Sequence, residues 1–327
     1  MEAPDRNLAL DLVRVTEAAA LSSARWLGRG DKNSGDQAAV DAMRLCFQSL
    51  NITGTIVIGE GEKDEAPMLY NGEKVGSGRG PGVDVAVDPV EGTRLLAYGR
   101  PNAISVVGIA PEGTMFDPGP SYYMKKLVVP AGAAQVVDLD APVEVNLKSI
   151  AKALGKDVDD LVVFVLDKPR HKELVDDIRK AGARIQLHTD GDVAGSLMAV
   201  DPRGEIDVMM GTGGTPEGVL SACAIRALGG QMLTKLDPQS ETERQACLDY
   251  GIDLNEVLSV TNLVKSEDTF FAATGISGGT FLPGVVYSGT GANTYSLVMR
   301  GKTGTLRRIE AHHSWNKLMK FSSVKYD

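Results

Sequence analysis

Short apolar runs rich in β-branched residues recur along the chain, and helical patterns separate several of them. The runs are TIVIG, VDVAV, AISVVGIA, LVVFVL, ARIQLH and IDVMMG, at residues 55–59, 83–87, 103–110, 161–166, 183–188 and 206–211. Runs of this length and composition predict strands, several of them buried on both faces. Apolar residues at helical spacing predict helices at 8–27, from about 36, and at 172–181, 194–200 and 217–228. This alternation predicts βαβ units and a layered α/β fold.

The second predicted helix, from about Asp36, has a polar start and an apolar stripe. Ser34 or Asp36 could cap its first turn, because their side chains accept hydrogen bonds from helix N–H groups. Val40, Met43 and Phe47 recur at helical spacing. We therefore expect one face of this helix to be buried and its first turn to be capped from within 34–36.

The length of 327 residues allows one or two domains. The strands become separated by helices in the second half of the chain. We place the division near residue 159, which gives lobes 1–159 and 160–327. In this division the C-terminal segment could also pack in the first lobe.

Composition argues against several classes of protein. A formal charge of −9 disfavours broad binding to nucleic acid. No apolar run approaches the roughly 18 residues of a membrane span. The start MEAPDRNLAL is unlike a secretory signal, and three cysteines without CxxC spacing suit reduced thiols. We expect a cytoplasmic protein without a nucleic-acid or membrane partner.

Polar clusters follow five of the predicted strands. They occupy residues 60–65, 88–93, 167–171, 189–192 and 211–218. In the second cluster we expect the chain to turn at Pro89, directly after Asp88. Ligands of open α/β sheets bind outside the carboxyl ends of the strands. The five clusters therefore predict one ligand-binding crevice.

The clusters and the helix before them are rich in carboxylates. These are Asp36, Glu60, Glu62, Asp88, Glu91 and Glu217. Carboxylates that share a site need a compensating cation, and oxygen ligands favour Mg²⁺ or Mn²⁺. Two or more such cations are suited to displacing a phosphoryl group. Lys168 and Arg170 could bind a second anionic group, and TDGD could accept hydrogen bonds from hydroxyls. The pocket suits a phosphorylated compound with hydroxyl groups.

Several motifs resemble those of a known family. DPVEGT resembles the Asp-Pro-(Ile/Leu/Val)-(Asp/Glu)-Gly-(Thr/Ser) motif of the lithium-sensitive, metal-dependent phosphatase superfamily. The set GDKNSGD, IVIGEGEKDEAPMLY, AVDPVEGT, YYMKKL, DKPRH, TDGDVAG and GTGGTPEGVLSACAIRALGG resembles class II fructose-1,6-bisphosphatases of the GlpX type, in order, over residues 6–300. The resemblance implies a layered α/β/α/β/α sugar-phosphatase fold with two lobes and the active site in the crevice between them.

The same resemblance implies a role for each residue that matches a family motif. The implied metal ligands, for two or more Mn²⁺ or Mg²⁺ ions, are Asp36 and Glu60 at one site and Asp88, Glu91 and Glu217 at another. Glu62 would lie behind these ligands. The implied substrate contacts are Lys32, Glu91, Gly92, Thr93, Tyr123, Lys168, Pro169, Arg170, Asp190, Gly191, Asp192 and Gly214. Tyr122 competes with Tyr123 for the aromatic position, and we select Tyr123 because it directly precedes Met124.

The implied reaction is hydrolysis of the 1-phosphate of fructose 1,6-bisphosphate in gluconeogenesis. Sedoheptulose 1,7-bisphosphate is a further candidate substrate. Thr93 would orient the attacking water and Asp64 would take its proton, directly or through Thr93. The resemblance also implies a homo-oligomer, either a dimer or a tetramer.

Simpler interpretations stay open for some of the motifs. Asp88 and Glu91 could mark only a turn and a helix start. GTGGTPEG could be a flexible loop or an anion-binding turn, and His171 could cap or pack.

Alternative functions also stay open. One is an inositol monophosphatase or 3′-phosphonucleotide phosphatase. Another is a non-catalytic sugar-phosphate-binding regulator. DKPRH with TDGD favours the bisphosphatase over the first, and the complete set of implied ligands argues against the second.

Overall fold

The computed structural model of the chain describes residues 7–59, 69–320, 322 and 324–326. The α-helices of this part are α1 (Ala9–Ser23), α2 (Lys32–Phe47), α3 (Thr93–Ala97), α4 (Val143–Leu154), α5 (Lys172–Ala181), α6 (Asp192–Val200), α7 (Thr215–Ala227), α8 (Glu241–Asp249), α9 (Val260–Leu263) and α10 (Trp315–Leu318). Its first seven strands are β1 (Thr53–Ile58), β2 (Lys74–Val75), β3 (Gly82–Glu91), β4 (Ile104–Pro111), β5 (Tyr123–Val129), β6 (Val162–Leu166) and β7 (Arg184–His188). The others are β8 (Val208–Gly214), β9 (Gln231–Leu236), β10 (Leu258–Ser259), β11 (Phe270–Gly275), β12 (Val286–Ser288), β13 (Gly291–Arg300) and β14 (Thr305–Ser314).

The chain forms two compact units. The first comprises Met1–Thr114 with Asp268–Asp327, and the second comprises Met115–Glu267. The expected α/β class is confirmed, because each unit contains one β-sheet with helices packed on it. The division expected near residue 159 lies inside the second unit, where Ile150 and Leu161 belong to the same hydrophobic cluster.

The first unit is built on a sheet with the strand order β12-β13-β11-β4-β3-β1-β2, with β14 paired to β13. Helices α1 and α2 cover one face of it. Leu12 of α1 and Met43 of α2 share a cluster with Val85 and Val87, which are two residues apart and therefore point to the same face of β3. Alternation along β3 thus determines which side of the sheet the helices cover.

Helix α2 begins earlier than the sequence predicted. Asp31 is its N-cap: Ser34 donates its backbone N–H and its hydroxyl to the two carboxylate oxygens, at 3.0 and 2.7 Å. The predicted caps Ser34 and Asp36 are therefore wrong, because both lie inside the helix. The predicted stripe is correct, and Met43 and Phe47 are fully buried.

The second unit has a sheet with the strand order β10-β9-β5-β8-β6-β7 and helices on both faces. Val163 and Val165 of β6 pack in one cluster with Ile150 of α4 and Ile178 of α5. The intervening Phe164 points the other way and contacts α6 at Gly195. This unit is a three-layer α/β/α sandwich.

The six predicted strands are all present, but the predicted connectivity is only partly right. The described parallel pairs are β1 with β3, and β6 with both β7 and β8. Strand β5 is antiparallel to both β8 and β9, and β11 is antiparallel to both β4 and β13. Strands β2, β5 and β9–β14 were not predicted. No helix within the described ranges is long and apolar enough to cross a membrane.

The contact between Gly195 and Phe164 gives a test of the packing on α6. A Cβ atom at Gly195 would lie within 2.6 Å of three ring carbons of Phe164. That ring is buried and stacks on His188 with a centroid distance of 4.3 Å, so it cannot move away freely. We predict that Gly195→Ala lowers the free energy of unfolding by about 1–3 kcal/mol, measured by urea denaturation.

Gly289→Ala is the matched control, because nothing lies within 4 Å of its added Cβ. It should change the free energy of unfolding by less than about 0.5 kcal/mol. Equal stability of Gly195→Ala and wild type would contradict the described packing of α6 on β6.

Candidate active site

The end of β3 carries the first group of predicted site residues. Between Asp88 and Glu91 the pairing with β4 shifts, so that one extra residue of β3 is accommodated as a β-bulge. The strand continues through Glu91, and the turn expected at Pro89 is wrong. The chain turns instead at Gly92, whose φ of 87° favours glycine, and α3 then begins at Thr93.

Two local hydrogen bonds stabilise this strand end. The Val90 backbone N–H donates to Asp88 Oδ1 at 3.1 Å, and Thr93 Oγ1 donates to the Val90 carbonyl at 3.1 Å. Because the Thr93 hydroxyl donates inward, its lone pairs can accept a hydrogen bond from a ligand or water. Glu91 is only 5% exposed. The bulge therefore places two carboxylates and a hydroxyl at one strand end.

Helix α2 carries Lys32 and Asp36 in the same unit, and its start is attached to α3. The Gly28 and Gly30 N–H groups donate to carbonyls of α3 at 2.9 Å each. A Cβ at Gly35 would lie 2.8 Å from a methyl group of Leu96, so α2 and α3 approach closely. Burial raises the pKa of Asp36 to about 6. A carboxyl in this environment favours a nearby positive charge.

Three of the predicted residues lie outside the described part of the chain. They are Glu60 and Glu62, predicted at and behind the first metal site, and Asp64, predicted as the base. Their roles remain predictions from the sequence.

The residues after β6 supply positive charge in the second unit. Arg170 donates to the Thr212 carbonyl through Nε and Nη2, at 3.0 and 2.8 Å. Its guanidinium lies 5.1 Å from the centre of the Tyr123 ring. Tyr122, by contrast, is 65% exposed. The geometry therefore favours Tyr123 as the aromatic residue of the site. Pro169 opens the short turn that carries Arg170.

The start of α6 lies beside these cations. Lys168 Nζ is 2.9 Å from Asp190 Oδ1, and Gly191 follows with φ of 99° as the N-cap. Asp192 then occupies the first turn, 5% exposed, with Oδ2 at 2.6 Å from Lys126 Nζ. Asp190 and Asp192 are thus each paired with a lysine.

The junction of β8 and α7 completes this group. Gly214 pairs with Tyr123 across the sheet and precedes the first turn of α7, which contains Glu217. A Cβ at Gly214 would overlap the Glu217 carboxylate. Desolvation of that carboxylate raises the pKa of Glu217. The charge of Asp192 adds to the rise, and Lys126 opposes it.

His171 has a structural role in this group. Its Nδ1 lies 2.6 Å from the Leu166 carbonyl, and its Nε2 accepts the Thr212 N–H at 2.8 Å. Both contacts require neutral imidazole with the proton on Nδ1. Desolvation, the larger cause, lowers the pKa of His171. The packing interpretation of His171 is therefore correct, and the residue joins the ends of β6 and β8.

Lys126 was not predicted as a site residue. Its side chain is fully buried in β5 and reaches the predicted contact Asp192. A usable signal was present in YYMKKL, because alternation places Lys126 on the same face as the apolar residues Met124 and Val128. A lysine on the apolar face of a strand indicates that a buried partner balances its charge.

One acidic cluster with the close spacing of metal ligands is present in the described part of the chain, and it contains none of the predicted ligands. It consists of Asp157, Asp159 and Asp160, whose carboxylate oxygens lie within 4.8 Å of one another. All three side chains are exposed, and none was predicted as a ligand. The cluster is a solvated surface feature.

Comparison with known proteins gives matches along nearly the whole chain. The family model described as bacterial fructose-1,6-bisphosphatase, glpX-encoded, matches residues 6–313. A Haemophilus influenzae protein named fructose-1,6-bisphosphatase class 2 is 46% identical over 333 residues, which covers 98% of this chain and 100% of the relative. An Escherichia coli K12 protein named fructose-1,6-bisphosphatase 1 class 2 is 46% identical over 321 residues, covering 94% and 95%. The matched range includes residues of both units.

The hydrogen bonds of His171 predict a pH-dependent contribution to stability. We predict that His171→Gln lowers the free energy of unfolding by about 1–3 kcal/mol at pH 7.5, because buried backbone groups lose their partner. The folded pKa lies below the ordinary 6.5, so the unfolded chain binds more protons as the pH falls below that value. The wild-type advantage should therefore shrink from about pH 6.5 downward, measured by urea denaturation at a series of pH values.

His312→Gln is the control, because His312 is exposed on β14. Its effect should stay within about 0.5 kcal/mol across the series. A His171→Gln penalty that is the same at pH 7.5 and pH 5 would contradict the neutral-imidazole assignment.

Proposed function

Because this chain belongs to the family of bacterial, glpX-encoded fructose-1,6-bisphosphatases, we propose that it hydrolyses the 1-phosphate of fructose 1,6-bisphosphate. The products are fructose 6-phosphate and inorganic phosphate, and the reaction belongs to gluconeogenesis. The observation that carries the proposal is the match over residues 6–313, with relatives named for this activity at 46% identity. The chain is accordingly a phosphoric monoester hydrolase.

The second unit supports a sugar-phosphate substrate. Arg170 uses two of its five N–H donors on the Thr212 carbonyl, which leaves donors for a phosphate oxygen. Lys168 adds a second positive charge beside it. Asp190 follows in the next loop and Asp192 in the first turn of α6, and both provide acceptors for sugar hydroxyls. Positive groups next to hydroxyl acceptors match the two chemical parts of a sugar phosphate. Pro169, Gly191 and Gly214 shape the backbone of this region, and Tyr123 would border the sugar.

The acidic residues fit Mn²⁺ or Mg²⁺. In the first unit the proposed ligands are Asp36, Asp88 and Glu91, and in the second unit Glu217. The donors are all hard oxygens. Burial raises the pKa of Asp36, and desolvation raises that of Glu217, so both carboxylates are short of compensating charge. Glu60, outside the described residues, completes the proposed ligand set. A bound divalent metal ion would activate water and neutralise charge on the leaving oxygen.

Thr93 is the proposed residue that orients the attacking water. Its hydroxyl donates to Val90, so the oxygen accepts a hydrogen bond from the water. Asp64 is the proposed general base, and a carboxylate in that role must lie within hydrogen-bond reach of the water or of Thr93. Glu91, Gly92 and Lys32 of the first unit are the remaining proposed substrate contacts.

Other parts of the proposal rest on the sequence. DPVEGT supports membership of the lithium-sensitive, metal-dependent phosphatase superfamily. The three cysteines Cys46, Cys223 and Cys247 are free thiols, which suits a reducing cytoplasm. The family resemblance supports a homo-oligomer, either a dimer or a tetramer.

A phosphate-release assay tests the proposed function. The purified chain should release phosphate from fructose 1,6-bisphosphate with Mn²⁺ or Mg²⁺, and a chelator should abolish the release. Glu91→Gln should reduce turnover by about 10²-fold or more, because it removes a carboxylate charge at the proposed metal and substrate site.

Glu112→Gln is the matched control, because Glu112 is exposed in the same unit, and it should retain wild-type turnover. Inositol 1-phosphate and a 3′-phosphonucleotide test the alternative phosphatases, and sedoheptulose 1,7-bisphosphate tests the range of bisphosphates. Folded, metal-loaded protein that releases no phosphate from any of them would refute the enzyme and favour the regulator.

Substitution of Asp64 tests the proposed base. Asp64→Ala should lower kcat by about 10²-fold or more and leave KM largely unchanged, because a base acts in the transition state. The exposed Asp159 provides the control variant Asp159→Ala, which should behave as wild type. Near-normal kcat in Asp64→Ala would remove this residue from the mechanism.

A further inference from the structure

Lys126 is a buried lysine that the proposed reaction does not yet use. It lies in β5, and its side chain has 0% exposure. Its neighbours on the same face of the strand, Met124 and Val128, are also fully buried. A lysine is almost never fully buried without a partner, because desolvation of the ammonium is costly. A negatively charged partner is therefore needed to offset the cost of burying the Lys126 ammonium.

The partner of Lys126 is one oxygen of Asp192. Lys126 Nζ lies 2.6 Å from Asp192 Oδ2. The other oxygen, Oδ1, is buried and has no hydrogen-bond partner in the described structure. Ionised carboxylates accept hydrogen bonds on both oxygens. Asp192 is therefore held by one oxygen and left with a desolvated acceptor on the other.

Gly213 makes this arrangement possible. A Cβ atom at Gly213 would overlap Asp192 Oδ2 and would lie 3.3 Å from Lys126 Nζ. Any side chain on this residue of β8 would displace the carboxylate from the ammonium. A Cβ at Gly218 would lie 3.2 Å from Lys126 Cε, so α7 also approaches the lysine closely. The backbone on two sides is thus fitted to the ion pair.

Stability alone is a weak reason for such a pair. Replacing a buried ion pair with apolar side chains is often neutral or stabilising, because desolvation offsets the attraction. A carboxylate that must present an oxygen to a ligand is a different case, since apolar residues cannot replace it. The unpaired Oδ1 distinguishes the two cases, because a purely structural carboxylate would be expected to have both oxygens satisfied.

We propose that Lys126 is a positioning residue that holds Asp192 Oδ2 so that Oδ1 accepts a hydrogen bond from a hydroxyl group of the sugar. The inference rests on the proposed function. An acceptor that is already desolvated is costly to leave unpaired, so the site favours ligands that carry the donating hydroxyl. Lys126 thereby contributes to recognition of the sugar without touching it.

The test separates KM from kcat for fructose 1,6-bisphosphate. Lys126→Met should raise KM by about 10-fold or more and change kcat by less than about threefold, the pattern of a contact made equally in ground and transition states. Asp192→Asn should show the same pattern. In the Asp192→Asn background, Lys126→Met should add little further change, because both substitutions remove one interaction.

Lys125→Met is the matched control. Lys125 neighbours Lys126 in β5 but points to the opposite face, is exposed, and donates to the Leu139 carbonyl at 3.2 Å. This variant should keep wild-type KM. The calorimetric affinity for fructose 6-phosphate should fall with Lys126→Met and not with Lys125→Met, which gives a readout independent of turnover. Mn²⁺ affinity without substrate should not fall, because the substitution removes a positive charge.

The outcomes distinguish this inference from the proposed function. Active wild type with an unchanged KM in Lys126→Met, or with additive effects in the double variant, overturns the inference and leaves the function standing. Wild type that does not hydrolyse fructose 1,6-bisphosphate overturns both. If Lys126→Met does not fold, Lys126→Met/Asp192→Asn, which leaves no buried charge unpaired, is compared with Asp192→Asn alone. An equal KM in these two variants supports the inference, and a higher KM in the double variant overturns it.

Discussion

Buried carboxylates need compensating charge, and the ion pair between Lys126 and Asp192 is where the second unit meets that need within the fold. Strand β5 supplies the ammonium, and α6 supplies the carboxylate. The pair lies next to Glu217, whose pKa rises by desolvation and by the charge of Asp192. Lys126 is one positive charge beside the two carboxyl groups of Asp192 and Glu217, so these three residues together lack one positive charge. That deficit is consistent with binding a metal ion or a ligand hydroxyl.

Antiparallel pairing of β5 with β8 gives this group its geometry. The pairing sets Tyr123 opposite Gly214, while Lys126 on the same strand reaches Asp192. Neutral His171 joins the end of β6 to Thr212 of β8, and Arg170 donates to the carbonyl of the same Thr212. The side chains proposed to bind the substrate therefore project from elements of the sheet or directly beside them, as precise ligand binding requires. In the first unit the bulge of β3 has the same effect on Asp88 and Glu91.

The sequence located several loops of the candidate site because the signals for them are local. DKPRH and TDGD each follow a strand, GTGGTPEG runs from the last residues of β8 into α7, and helix starts at Asp192 and Thr215 appear within two residues of the expected position. Pairings between strands that are distant in the chain could not be predicted from local sequence patterns. Strand β11 contains adjacent alanines, which have low strand propensity, and it pairs with β4 from more than 150 residues away. Lys126 was missed for a related reason, because its partner lies in another element.

Identification of the product tests the proposed hydrolysis of the 1-phosphate. Phosphorus NMR can follow fructose 1,6-bisphosphate incubated with the full chain and Mn²⁺. We predict that the resonance of the phosphate on carbon 1 disappears and that the resonances of fructose 6-phosphate and inorganic phosphate take the place of the substrate resonances. Accumulation of fructose 1-phosphate, or an unchanged spectrum with folded and metal-loaded protein, would contradict it.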